Sequence, residues 1–243
     1  MIRKITATVI AASAMIAFGA SGQPARKPAP KPVARPSGSL NWAVTSAATP
    51  EGNHVLGNPA AKLRVIEFVS YTCPHCSHFE TESEGQLKIG MIAPGKGAVE
   101  VRNFVRDPVD MTVALITNCV APSKFFQLHT AFMRLQPQWI GPLATSTEAQ
   151  RQRWTNGAFA TRTRAIASDF KFYEFMAARG MDRQTLDRCL ANEALANKLA
   201  QQTDYAVDKL GVTGTPSFMI DGILLAGTYD WASLRPQIMA RLD

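Results

Sequence analysis

The sequence predicts an α/β domain interrupted by an all-helical insertion, and three observations carry that prediction. Two apolar, β-branched runs, at 62–71 and 98–106, flank a segment that opens on a cysteine pair and reads as a helix. About a hundred residues of helical signal follow Asp107. Strand pattern with a tight turn then returns after Gly211. The order is β-α-β, a helical block, then β-β-α.

The chain begins with a leader. Arg3 and Lys4 precede an apolar run from Ile5 to Phe18, and the small residues Gly19-Ala20-Ser21-Gly22 close it, so residues 1–22 read as a signal peptide. The run is shorter than a spanning helix needs, which leaves an uncleaved membrane anchor as the lesser alternative to a cleaved leader. Residues 23–40 read as an extended linker: "QPARKPAPKPVARPSGS" holds five prolines, four basic residues and no acid. Leader and linker together hold six of the 26 basic residues and none of the 19 acids, which leaves the rest of the chain near +1. The formal charge of +7 therefore belongs to the N-terminal segments, and a nucleic-acid role loses its support. About two hundred residues remain, enough for one sizeable core or one core with an insertion.

Within that remainder, residues 41–107 form the first part of the α/β domain. "KLRVIEFVSY" (62–71) reads as a buried strand, the segment from the cysteine pair to about Met91 as a helix, and "AVEVRNFVR" (98–106) as a second strand. Asp107-Pro108 is an N-cap followed by a proline at the first helical position. It opens the insertion at 108–210, with helices expected over 108–120, 123–136, 146–167, 169–179, 182–191 and 193–210. Thr145 and Glu148 have capping-box spacing, and Gly180 and Gly211 sit where helices would end. In 211–243, "TPSFMI" reads as a strand, Asp221-Gly222 as its turn and "ILLAGTY" as the hairpin partner. Asp230 caps a last helix from Trp231 to about Leu242.

The chemistry concentrates in "VSYTCPHCSHF", residues 69–79. Haem attachment needs a histidine directly after the second cysteine, and Ser77 stands there instead. A zinc site from Cys73, Cys76 and His78 would lack a fourth ligand, because Cys119 and Cys189 are isolated. A permanent bridge across two residues is a poor staple, since loop-closure stabilisation grows with loop length. Redox exchange gives each position a role. Cys73 at a helix N-terminus has its thiolate stabilised by free N–H groups and the helix dipole, and His75 adds a hydrogen bond or charge. Cys76, one turn inward, is the resolving thiol. Pro74 rigidifies the first turn. A stabilised thiolate makes the disulfide a strong oxidant.

"CPHC" after an apolar strand, with "GVTGTPSF" some 140 residues later, resembles the DsbA-like thiol–disulfide oxidoreductases of the thioredoxin superfamily, over roughly residues 50–243. The resemblance implies a thioredoxin fold with an inserted helical domain. It implies Cys73 as nucleophile, Cys76 as resolving cysteine, and Pro216 as a cis-proline facing them, with Thr215 before it at the edge that pairs with an extended substrate. It also implies a buried acid at Glu67, the only charge in "VIEFV", able to shuttle the proton of Cys76. The alternative for Glu67 is an edge-facing strand residue. Isomerases of the wider family carry a dimerisation domain ahead of the thioredoxin domain; the leader and linker here argue against that build. Thr215 occurs before the cis-proline in both isomerases and some oxidases, and so does not discriminate.

Cys119 and Cys189 are expected to bridge, given an oxidising compartment and the second disulfide that some DsbA-like proteins carry. His54 reads as an ordinary loop residue, His78 as solvated, and His129 as a satisfied helix residue. Phe125, Phe126, Phe132 and Trp139 read as the insertion's own core. The expectation for function is an exported, periplasmic, monomeric dithiol oxidase without metal or organic cofactor. It would donate the Cys73–Cys76 disulfide to reduced, unfolded secreted proteins and be reoxidised by a DsbB-type membrane partner, a partner the resemblance alone implies. The rivals are an isomerase or reductase, a specialist for one client, and a thiol-based metallochaperone.

Overall fold

The computed structural model describes residues 40–242; the leader and nearly all of the linker lie outside the described residues. A 3-10 turn at Trp42–Val44 leads into β1 (Ser46–Ala48) and β2 (His54–Gly57), then β3 (Leu63–Val69), α1 (Pro74–Leu87) with a π-helical turn at Lys88–Ile92, and β4 (Gly97–Asn103). The helical block follows as α2 (Pro108–Asn118), α3 (Pro122–Arg134), α4 (Gln136–Trp139), α5 (Pro142–Thr145), α6 (Glu148–Thr155), α7 (Phe159–Asp169), α8 (Phe172–Ala177), α9 (Arg183–Leu190) and α10 (Glu193–Asp208). The chain returns through β5 (Ser217–Ile220), β6 (Ile223–Leu224) and α11 (Trp231–Leu242).

The strands form one mixed sheet in the order β1-β2-β4-β3-β5-β6. β3 and β4 are parallel and joined by α1, the crossover a parallel pair requires. β5 pairs antiparallel with β3, Ser217 opposite Phe68, so the segment just before β5 meets the end of β3 from which the cysteine motif springs. Alternation along β3 divides its side chains. Val65 and Val69 enter the main core with α1 and α11, whereas Ile66 and Phe68 pack on the other face with Ala206 and Val212. Asp221 and Gly222 both have positive φ, 52° and 79°, as a two-residue hairpin of the primed type requires.

Several expectations are corrected. β1 and β2 were not anticipated, because "GNHVLGNP" reads locally as turn chemistry and only pairing with β4 makes it a strand. The helix expected over 146–167 is two helices, broken at Asn156-Gly157 where Gly157 takes φ +91°. The capping box is Thr147 with Gln150, not Thr145 with Glu148. The hairpin partner shrinks to two residues before the turn at Gly227, φ +70°.

His54 is a buried strand residue rather than a loop residue. Its ring stacks on Phe125 with centroids 3.6 Å apart, and its Nε2 lies 3.0 Å from Asn118 Oδ1. The aromatic cluster is therefore not private to the insertion. Phe125 reaches β2, Phe132 meets the Tyr71 ring edge-on at 6.1 Å, and one hydrophobic core runs through both parts.

Candidate active site

Cys73 is the N-cap of α1 and Pro74 its first helical residue, so the N–H groups of that first turn are left to face the Cys73 sulfur. The preceding loop is held by two aspartates at the start of α2. Ser70 Oγ and the Tyr71 N–H donate to the Asp110 carboxylate at 2.6 and 2.7 Å, and Thr72 Oγ1 donates to Asp107 at 2.5 Å. Asp107 also caps α2 by accepting from the N–H groups of Val109 and Asp110. Gln136, at the start of α4, donates to the carbonyls of Tyr71 and Cys73 at 2.6 and 2.9 Å. Burial pushes the Asp110 carboxyl up to about 7, against the pull of its Ser70 and backbone donors.

The Thr215–Pro216 peptide bond is cis, and the Cys73 thiol donates to the Thr215 carbonyl at 3.1 Å. The structure thus brings together Cys73, Cys76, Thr215 and Pro216 across 142 positions of sequence. Cys73 and Cys76 are both buried and unbridged, while Pro74 and His75 between them are exposed. The two thiols are driven apart. Cys73 is lowered from an ordinary 9.0 to about 5, chiefly by the Cys76 thiol as donor, then by the Thr215 side chain and the N–H groups of Cys76 and His75, with burial opposing. His75 thus acts on the sulfur through its backbone; its imidazole is exposed. Burial pushes Cys76 well up, reinforced by hydrogen bonding to Cys73 and the nearby charges of Cys73 and Glu67.

Glu67 lies in the middle of β3, paired with Val101 on one side and Phe218 on the other, and is 4% exposed. It is a central-strand residue, not an edge-facing one. Burial first, and the Glu80 carboxylate second, hold its pKa well above the ordinary range. Glu67 and Glu80 share a cavity of about 420 Å³ between α1, α3 and the sheet, together with Ser83 and His129. Glu80 accepts from Thr130 Oγ1 at 2.6 Å, and His129 Nδ1 lies 3.0 Å from the Tyr71 hydroxyl. His78 is exposed and lies 3.2 Å from Glu82. Sequence reasoning missed Asp110, Gln136 and Glu80. Only Glu80 left a local signal, four residues after Cys76 and so on the same inward face of α1.

Cys119, the C-cap of α2, is bonded to Cys189 of α9, with Cα atoms 5.7 Å apart. Among the described residues no cluster of three or more His, Cys, Asp or Glu side chains could hold a metal ion.

Comparison with known proteins agrees with this fold. A crystal structure described as a protein-disulfide isomerase from Novosphingobium aromaticivorans is 82% identical; the match covers 79% of this chain and 97% of that one, with a TM-score of 0.77. Wolbachia pipientis α-DsbA1 shares the fold at 20% identity, covering 78% of this chain and 90% of its own, with a TM-score of 0.63. A Rickettsia felis chain with the provisional name protein-disulfide oxidoreductase is 24% identical over 194 residues, 79% of this chain, and the present chain spans 61% of its length. A family model described as thioredoxin matches residues 49–240. The protein belongs to the thioredoxin family, and its architecture is the DsbA-like one, a thioredoxin sheet carrying a helical insertion between β4 and β5.

Proposed function

We propose that the protein is a protein thiol–disulfide oxidoreductase that works as an exported dithiol oxidase. One observation carries the reading. At the start of α1, the Cys73 sulfur is held against the carbonyl before cis-Pro216 and ionises near pH 5, while its partner Cys76 is kept a thiol. In the disulfide form, a client thiolate attacks Sγ of Cys73. The client–Cys73 bond forms, the Cys73–Cys76 bond breaks, and the electron pair leaves on Cys76. That buried sulfur needs a proton, and we assign the donation to Glu67, whose carboxyl burial holds well above the ordinary range and whose charge acts on Cys76. A second client thiolate then attacks the client sulfur and releases Cys73 as the thiolate. Two client thiols become one disulfide; Cys76 keeps the proton from Glu67, one of the two client protons restores Glu67, and the other passes to solvent. The cycle closes when a DsbB-type membrane partner withdraws two electrons. Residues 1–22 direct export to the periplasm and 23–40 tether the domain. The Cys119–Cys189 bridge fits an oxidising compartment.

The test is the reduction potential of the Cys73–Cys76 pair, measured in graded glutathione buffers on a Cys119→Ser, Cys189→Ala variant. A potential at the oxidising end of the superfamily, near −120 mV, is the expected result; one near −270 mV overturns the oxidase direction. Isomerisation is the second reading, favoured by the name of the 82%-identical Novosphingobium protein. Rescue of a scrambled client without net oxidation would select it.

Two further outcomes are expected. Thiolate absorbance of the reduced protein should titrate near pH 5, and a midpoint above 8 would remove the basis of the proposal. The sign follows from a lowered thiol: the reduced fold gains stability that is complete above the unfolded value of 9.0, shrinks as pH falls, and is gone below about 5. Glu67→Gln removes the proton donor, and single-turnover release of Cys76 should slow on the order of 100-fold at neutral pH. An unchanged rate would strip Glu67 of that role.

A further inference from the structure

A second opening, on the insertion side, is linked to the reacting sulfur through Arg106 and Thr215. It is a groove of about 290 Å³ between the β4–α2 loop and α6–α7, with Trp154, Phe159, Met111 and Ile166 among its apolar lining and two guanidinium groups, Arg106 and Arg162. Arg106 ties it to the reaction centre. Its Nη1 donates to Thr215 Oγ1 at 3.5 Å, and the carbonyl of the same threonine accepts from the Cys73 thiol. Arg162 is partly buried, and among the described residues its buried Nε has no hydrogen-bond partner and its only polar contact is a long one, Nη1 to the Thr155 carbonyl at 3.5 Å. Its guanidinium lies 5.7 Å from the Phe159 ring centre, which holds the fork over an apolar wall. Among the described residues neither arginine makes an ion pair, whereas Arg64, Arg102, Arg134 and Arg153 all do. The one acid in the groove, Asp107, is already committed to capping α2 and to Thr72.

Two uncompensated guanidiniums, one with a buried donor left unmade, call for an acceptor that matches their planar fork, and a carboxylate does so best. We propose that this groove is a client subsite that selects an acidic side chain flanking the reacting cysteine. A client chain laid along Thr215–Pro216 carries its neighbouring residues past Arg106, and the apolar lining takes the methylenes of a glutamate while the arginines take its carboxylate. The inference rests on the oxidoreductase reading above and adds which clients react fastest.

The test uses the full exported chain in its disulfide form and reduced peptides bearing two cysteines. In turn, each position flanking the first cysteine is made Glu or Gln, and reduction of the protein is followed by stopped-flow fluorescence. The Glu peptide should react about tenfold faster than its Gln twin at one or more positions on one side, with the advantage shrinking as salt rises. In an Arg106→Gln, Arg162→Gln variant the Glu/Gln ratio should fall to near one. Equal rates for every wild-type pair overturn the subsite without any variant having to fold. A ratio undiminished in the folded double variant overturns it too. If no peptide reacts with Cys73 at all, the oxidoreductase reading itself has failed, so the two failures are distinguishable.

Discussion

Cys76→Ser protein mixed with a reduced client and a chemical oxidant is expected to lose turnover while accumulating a client–Cys73 mixed disulfide on a non-reducing gel. Without Cys76 no internal disulfide can form, so catalysed client oxidation should fall by at least about 1000-fold, as when any one member of a catalytic unit is removed. The trap arises because the serine hydroxyl can donate to Cys73 in place of the Cys76 thiol, its largest stabilising partner, and Cys73 keeps the Thr215 side chain and the backbone N–H donors at the head of α1, so it stays a reactive thiolate. Cys73→Ser should lose activity equally but trap nothing. Its remaining thiol, Cys76, is fully buried and pushed well above its ordinary pKa, so it offers little thiolate to attack with. A Cys73→Ser protein that still captured clients, or a Cys76→Ser protein that still turned over, would falsify the assignment of nucleophile and resolving thiol.

The second large effect is on stability. Cys119 and Cys189 close a loop of 70 residues, and in the chain-entropy picture the cross-link contributes roughly 4 kcal/mol. Cys119→Ser with Cys189→Ala, matching the exposed and buried sites respectively, should lower Tm by about 10 °C, as expected for a domain of this size. Calorimetry or circular dichroism measures it, and a loss below about 1 kcal/mol would mean that the helical block holds itself without the staple. The bridge joins the end of α2 to α9, while the aspartates that hold the motif loop sit at the start of α2. The Cys73 titration should therefore survive the double substitution in the folded protein, separating a structural role from a catalytic one.

The buried carboxyls give the site a pH dependence beyond Cys73. Asp110, near 7, accepts from Ser70, the Tyr71 N–H and the Arg106 N–H, so its ionisation changes the charge behind the motif loop within the physiological range. Because burial raises it, ionising Asp110 costs the fold stability as pH rises through about 7. This opposes in sign the contribution of the Cys73 thiolate, which grows as pH rises above about 5.

By itself the sequence determined the fold class, with its strand–helix–strand unit and a helical block set into the sheet, and it singled out the residues proposed for the site. Those features rest on local physics. An apolar β-branched run makes β3, a proline at the first helical position starts α1 behind Cys73, and Asp107-Pro108 marks where the helical block begins. Glu67 was conspicuous because a lone charge in an apolar strand is costly unless it has work to do. The tertiary structure alone decided which distant polar groups meet. Asp110 lies 40 residues from Ser70, Gln136 lies 65 from Tyr71, and Thr215 lies 142 from Cys73. Polar helix and loop residues of that kind carry no periodic signal to mark them as buried, since their partners are chosen by how the insertion packs back on the sheet. β2 and His54 were invisible for the same reason. A four-residue strand bounded by Gly and Asn has too little pattern of its own, and its hydrogen bonds to β4 and its stack on Phe125 exist only once the chain has closed.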